Sequence, residues 1–194
     1  MDRFQITQTQ DGSITLLDGS VGETFKSRHA AKLETQKVFI EPGFIEHPLR
    51  KKGQTFRILE FGFGLATNCL ALAELLAGEE FQDFPVEYFG IDRETAGLEF
   101  LIPQDPERAN CKWLSDLLAN GSARALPNLS LHFEKSDFQA AAERIESLPP
   151  FHSVFFDAFS PKSNPEAWTR EIFQQIGKLL IPGGRIVTYS VSRI

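Results

Sequence analysis

Cysteine is scarce in this chain, with two among 194 residues. Cys69 and Cys111 form no C-x-x-C pair, and the four histidines make no group at metal-ligand spacing, so neither a disulfide framework nor a structural zinc is expected. Long apolar runs are missing too. No stretch approaches the ~18 residues of a membrane span, and Met1 to Gln5 lacks the apolar core of a secretion signal. A reducing cytoplasm is the expected compartment. Positive charge is in deficit, 20 Lys and Arg against 26 Asp and Glu for a net −6, which argues against binding nucleic acid through a wholly basic surface. A local patch remains open: Lys26, Arg28, Lys32 and Lys37 fall in one segment and Arg50-Lys51-Lys52 in another, either as a docking surface or as solvated charge. Tryptophan and tyrosine are rare, two each against 18 phenylalanines. That skew predicts a Phe-packed core, with stacking of single rings on a flat ligand as the alternative.

What is present is an alternation of strand and helix signals. Phe4–Thr9 and Ser13–Leu17 flank Asp11-Gly12 as a β-hairpin. A loop follows over Gly22–His29, then helical spacing from Ala30 to Ile40, with Pro42, Gly43 and Pro48 as breaks. Residues 1–50 therefore read as an N-terminal hairpin appendage, and 51–194 as the main domain. There the expected strands are Phe56–Phe61, Val86–Ile91, Leu129–Phe133, Val154–Phe156 and Arg185–Ser190. Between them lie helices over Thr67–Leu76, a mostly helical stretch to Leu118, one from Ser136 or Asp137 to about Leu148, and one over Pro165–Leu180. This βαβα order predicts an α/β fold, a doubly wound and mostly parallel sheet with helices on both faces. Further strands after the fifth are expected to be missing.

Chemistry concentrates where these strands end, the edge at which open α/β sheets bind ligands. Glu60-Phe61-Gly62-Phe63-Gly64 with Asn68 joins the first strand to its helix. The glycines permit a tight turn and the helix N-terminus favours an anion, although Thr67 stands where a dinucleotide fingerprint needs its third glycine. Asp92 closes the second strand, placed either to grip both hydroxyls of a ribose or to cap a helix. Asp137 follows the third, either contacting an adenine amino group or capping. Asp157 follows the fourth, with the loop Ala158–Asn164 beyond it. Glycine turn plus acidic strand ends is the layout of a Rossmann-like class I S-adenosylmethionine-dependent methyltransferase, and it also suits aminopropyltransferases such as spermidine synthase.

Residues 157–168, DAFSPKSNPEAW, resemble the D-G-F-A-P-x-x-N-P-x-x-W signature of the MnmC-type tRNA methyltransferase domain. Glu34-Thr35-Gln36-Lys37-Val38-Phe39 is similar to that family's E-T-x-x-V-F stretch. Glu60-Phe61-Gly62-Phe63-Gly64 with Asn68 is similar to its E-x-G-F-G-T-G-L-N, and Pro182-Gly183-Gly184 with Thr188-Tyr189-Ser190 to its ending. Ala158 replaces the family's glycine, and Leu65-Ala66-Thr67 replaces Thr-Gly-Leu. The resemblance implies S-adenosyl-L-methionine as cofactor, bound by Glu60, Gly62, Gly64, Asn68, Asp92 and Asp137. It implies methyl transfer to the amine of 5-aminomethyl(-2-thio)uridine at the tRNA wobble position, with Asp157 as the catalytic group. Phe159, Pro161, Asn164 and Trp168 are the implied substrate side, with Trp168 alternatively in the core, and Lys26 and Arg28 would meet phosphates of the tRNA anticodon region. No metal or membrane is implied, and the family's flavin oxidase domain is expected to be absent. A separate oxidase or precursor-making enzyme would supply the substrate. The competing expectations are a small-molecule amine methyltransferase or aminopropyltransferase, and a truncated, non-catalytic binding protein.

Overall fold

The computed structural model describes residues 2–189, without the side chains of residues 142 and 143. Six strands form the central sheet: β4 (Phe56–Phe61), β5 (Val86–Asp92), β6 (Ser122–Leu126), β7 (Leu129–Lys135), β8 (Phe151–Phe156) and β9 (Leu180–Thr188). Their order is β6-β7-β5-β4-β8-β9. All neighbours are parallel except the β6–β7 hairpin. The chain runs outward from β4 through β5 to β7, then crosses back to place β8 on the other side of β4. The sheet's topological switch point therefore lies between the ends of β4 and β8, where an α/β sheet opens a crevice.

The helices are α1 (Ala31–Glu34), α2 (Thr67–Leu76), α3 (Ala96–Leu101), α4 (Pro106–Ala109), α5 (Lys112–Asn120), α6 (Phe138–Glu146) and α7 (Arg170–Leu179). They divide the core in two. Leu72, Leu76, Leu114 and Leu117 pack with Ile58, Tyr88 and Phe155 on one face, and Phe138, Ile145, Ile172 and Ile176 with Leu59, Val154 and Phe156 on the other. Each fully buried side chain of this kind contributes about 1.5–3 kcal/mol. Among the described residues no helix is long and apolar enough to cross a membrane.

Several boundaries differ from expectation for local reasons. Pro42 and Gly43 do not break the chain: α1 passes into a wide-turn π-helix over Thr35–Ile45 that carries Pro42 inside it. The wider turn relaxes the clash that proline makes in an α-helix. Gly43 lets this segment lie on the sheet, since a Cβ there would stand 2.5 Å from the Phe155 ring. β6, with the sequence Ser-Ala-Arg-Ala-Leu, carries no β-branched residue and lies outside the expected strands. The helix expected from Pro165 opens with a 3₁₀ turn and becomes α-helical only at Arg170, where Thr169 accepts from Ile172 N–H at 3.3 Å. β9 begins five residues earlier than expected, at Leu180, and Ser190 lies outside the described residues.

The N-terminal hairpin, β1 (Phe4–Gln8) and β2 (Ile14–Asp18), gains a short third strand, β3 (Glu23–Thr24), inside the expected loop. Leu16 from this small sheet is fully buried against Leu65 and Leu101. Residues 23–28 are thereby held over the sheet's C-terminal edge.

Candidate active site

Four strand ends and the N-terminal sheet enclose a cavity of about 880 Å³. β4 contributes the turn Gly62–Leu65, β5 Asp92, β7 Ser136 and Asp137, and β8 Asp157; Arg3, Phe4, Glu23, Phe25 and Lys26 wall the opposite side. Gly62 is required at its position twice over. Its φ is +89°, and a Cβ would lie 2.7 Å from the Asp157 carbonyl oxygen. That close approach, together with the Asp157 N–H bond to Phe61 O at 2.8 Å, seats the carboxylate at the switch point.

Asp157 is nearly enclosed, its side chain 7% exposed. Oδ2 accepts from Asn68 Nδ2 at 2.8 Å and from the Lys26 ammonium, whose side chain is 5% exposed. Among the described residues nothing donates to Oδ1. Asn68 ties the group deeper into the protein: its Nδ2 also donates to Glu60 Oε1 at 2.6 Å, and its Oδ1 accepts from Lys26 Nζ and Thr35 Oγ1, both at 3.1 Å. Tyr88 donates to Glu60 Oε2 at 2.7 Å. Burial raises the Asp157 carboxyl above its ordinary range, against the opposing pull of Lys26 and Asn68. It pushes Glu60 up to about 8, with the negative charge of Asp157 adding to the effect. Glu34, whose carboxylate lies 4.0 Å from Lys26 Nζ, is raised by burial too.

The side of the cavity formed by the ends of β5 and β7 is simpler. Asp92 Oδ2 accepts from Gly64 N–H at 2.7 Å and Oδ1 from Glu94 N–H at 3.1 Å. It does not cap α3, which starts after Thr95. Asp137 is exposed, caps α6 through Ala140 N–H at 2.8 Å, and still borders the cavity. A carboxylate at the end of β5, a glycine turn and the apolar flanks Leu98 and Phe138 are the donor set and shape that a nucleoside needs. The residues present therefore fit S-adenosylmethionine.

Sequence-predicted positions separate into those at the cavity and those behind it. Gly62, Gly64, Asp92, Asp137, Asp157, Phe159, Asn164, Lys26 and Arg28 border it. Glu60 and Asn68 are buried behind Asp157 and organise it. Trp168 faces the core, stacked edge-on to Phe156 at 4.8 Å, and supports the loop by donating to Phe159 O at 2.7 Å. Pro161 stays in that loop, outside the cavity wall. Lys26 departs from the basic-patch expectation: it is 6% exposed and paired with Asp157 at the cavity wall, whereas Arg28, Lys32 and Lys37 are exposed. Two features had no sequence signal, the Lys26–Asp157 pair across 131 positions and a clasp in which Ser160 and Ser163 donate to Glu23 of β3.

Doubly wound sheet, switch-point crevice and acidic strand ends make this a Rossmann-like fold of the class I methyltransferase type. Residues 112–194 match a family profile described as S-adenosyl-L-methionine-dependent methyltransferase. The chain is similar to the tRNA 5-methylaminomethyl-2-thiouridine biosynthesis bifunctional protein MnmC of Aromatoleum aromaticum, 26% identical over 99% of this chain and 31% of that protein. It is 29% identical to the protein of that name from Maricaulis maris, over 69% of this chain and 24% of the relative. The solved structure of MNMC2 from Aquifex aeolicus superposes with a TM-score of 0.76 at 29% identity, covering 99% of this chain and 61% of that one. The chain is thus similar to MnmC proteins, and the profile that it matches is a methyltransferase one. It spans less than a third of the two bifunctional relatives.

Proposed function

We propose that this chain methylates the primary amine of 5-aminomethyl(-2-thio)uridine at the tRNA wobble position, giving 5-methylaminomethyl(-2-thio)uridine. The observation that carries the reading is Asp157 at the switch point, with Oδ2 fixed by Lys26 and Asn68 and Oδ1 left for a donor from the cavity. The MnmC relatives, named for biosynthesis of this nucleoside, support the choice of amine. Asp92 holds the ribose of S-adenosylmethionine, and the Gly62–Gly64 turn and the N-terminus of α2 receive its carboxylate end. When bound, the cofactor supplies a methyl group on a positively charged sulfur as the electrophile.

The remaining work falls to the protein's own groups. Asp157 Oδ1 accepts one amine N–H and aims the nitrogen lone pair, an orientational gain that replaces a chance encounter. Phe159 flanks the base, since single-stranded bases are read on aromatic faces. Arg28, Lys32 and Lys37 meet the phosphates of the anticodon stem. Lys32 and Lys37 bond Glu107 and Glu41 at the surface, pairings weak enough to yield to RNA. With tRNA as substrate the protein works in the cytoplasm, after a separate enzyme has made the aminomethyl precursor. Domain roles follow: residues 1–50 complete the substrate side of a methyltransferase domain over 51–194.

The test is to incubate the protein with labelled S-adenosylmethionine and tRNA bearing the aminomethyl group, then digest and identify nucleosides. Label is expected in 5-methylaminomethyl(-2-thio)uridine, with Asp157→Asn slower by roughly 10²-fold or more. Equal methylation of a free small amine without tRNA would replace this reading with a small-molecule one, and absence of cofactor binding by calorimetry would leave a non-catalytic binding protein.

A further inference from the structure

We infer that Lys26 is a positioning residue for this methyl transfer: it is the resident counter-ion of Asp157 and thereby lets the substrate amine dock in its neutral, nucleophilic form. The inference rests on the proposed amine substrate. It begins with how Lys26 is held. Its ammonium is enclosed, bonds Asp157 Oδ2 and Asn68 Oδ1, and lies 4.4 Å from the centroid of the Phe39 ring, a favourable cation–π contact. A lysine buried this way has been taken out of water at a cost of several kcal/mol that only tight pairing offsets. Its charge therefore serves the interior.

The groups that face Asp157 fix what that charge does. Glu34 comes from α1, Glu60 from β4, and Tyr189 from beyond β9, where its hydroxyl donates to Ala158 O at 2.9 Å. Glu23 adds a further carboxylate from β3 to the wall of the same cavity, held by the Ser160 and Ser163 hydroxyls. Against these acidic groups, Lys26 is the cation that acts on Asp157. Without it, an incoming alkylammonium, the form that an alkyl amine takes in neutral water, would itself become the counter-ion of Asp157. The nitrogen lone pair would then be occupied by a proton and the complex would be unreactive. With Lys26 in place the carboxylate needs no further cation, and Oδ1 requires only a hydrogen bond.

Protons and electrons balance along this route. The amine leaves one proton in solvent on docking and donates an N–H to Oδ1. Its lone pair forms the new N–C bond while the C–S pair departs with sulfur, and the resulting secondary ammonium gives up a proton to Asp157 Oδ1 or to water.

Lys26→Met, with Lys26→Gln as a second neutral variant and Lys26→Arg as the charge-keeping control, tests this in the intact chain. Each variant is first shown to be folded by its denaturation profile. The measurements are kcat against pH on aminomethyl-bearing tRNA and, without any turnover, titration of the Asp157 carboxyl by ¹³C NMR, assigned by its loss in Asp157→Asn. The expected result for either neutral variant is about ten-fold lower kcat at pH 7, with the acid limb and the Asp157 titration both moved up by about one pH unit or more. Activity recovers in alkali, and Lys26→Arg keeps the wild-type limb. A loss that is the same at every pH, with the Asp157 titration unmoved, would overturn the inference and show a merely structural lysine. If the wild type labels no tRNA amine while Asp157 still moves in Lys26→Met, the proposed reaction fails and the Lys26–Asp157 coupling stands.

Discussion

Replacing Glu60 with Gln should remove a specific pH dependence from the stability of this protein. Glu60 is 1% exposed, with both oxygens bonded and its pKa pushed up to about 8 by burial and by Asp157. In the unfolded chain it titrates near ~4.3. Between those values the folded state holds a proton that the unfolded state has lost, so the stability this group contributes is full below ~4.3 and falls as pH rises toward 8. His47 runs the other way. Burial and the nearby Arg185 charge lower it to about 4, so the unfolded state binds the extra proton up to ~6.5, and stability rises with pH over that range.

The histidine slope, to which His152 adds because burial lowers it too, opposes the Glu60 slope up to ~6.5; above it the Glu60 slope remains, in the same direction as that of the other carboxyls raised by burial, Asp157, Glu34 and Asp92. At ~1.4 kcal/mol per pH unit, the wild type should lose about 2 kcal/mol between pH 6.5 and 8. Cys69 and Tyr88, both raised well above their ordinary values by burial, add further loss only in stronger alkali. Gln keeps the shape and the network: its carbonyl still accepts from Asn68, and its amide donates to a reoriented Tyr88 hydroxyl. Denaturant midpoints and m values measured at half-unit pH steps read the difference directly. Glu60→Gln should be flatter across that window and more stable than the wild type above pH 8. An equal slope in both proteins would refute the assignment of the proton to Glu60.

Two further outcomes test the turn and the cofactor side. Ala66, fully buried at φ +60° where the resembling family carries glycine, should tolerate no β-branching. Ala66→Val is expected to lose about 2 kcal/mol or more by chemical denaturation, whereas Ala66→Gly stays near neutral because relief of the left-handed strain is offset by a lost methyl and a freer unfolded chain. Asp92→Asn should weaken S-adenosylmethionine binding by roughly 10- to 100-fold in calorimetry, the worth of a charged hydrogen bond to a hydroxyl pair. Unchanged affinity would move the ribose away from β5.

The sheet was legible because its signals are local. Buried parallel strands such as Ile58-Leu59 and Val154-Phe155-Phe156 are continuous apolar runs, and glycines and prolines mark most of the turns between them. β6 escaped because an antiparallel edge strand owes its existence to its partner β7 and not to its own residues. Pro42 misled for a related reason: packing of Phe39, Ile40 and Phe44 into the core holds a helix through a residue that favours breaking one.

The site divides along the same line. Gly62, Asp92 and Asp157 each close a strand of the sheet, so strand order alone brings them to one edge. Lys26 belongs to no such pattern. It lies in a short basic segment, and charge count assigns such residues to solvent or to phosphate. Its true position follows from Leu16 anchoring the N-terminal sheet and from Glu23 clasping Ser160 and Ser163, contacts that swing residues 23–28 over the end of β8. Burial then reverses the meaning of the charge: a lysine that outside would attract RNA, inside neutralises Asp157 and sets the proton inventory of the pocket. On the proposed reading, a chain with a net charge of −6 holds a reactive amine without trapping it as an ammonium ion, because the cation the carboxylate requires is already built into the fold.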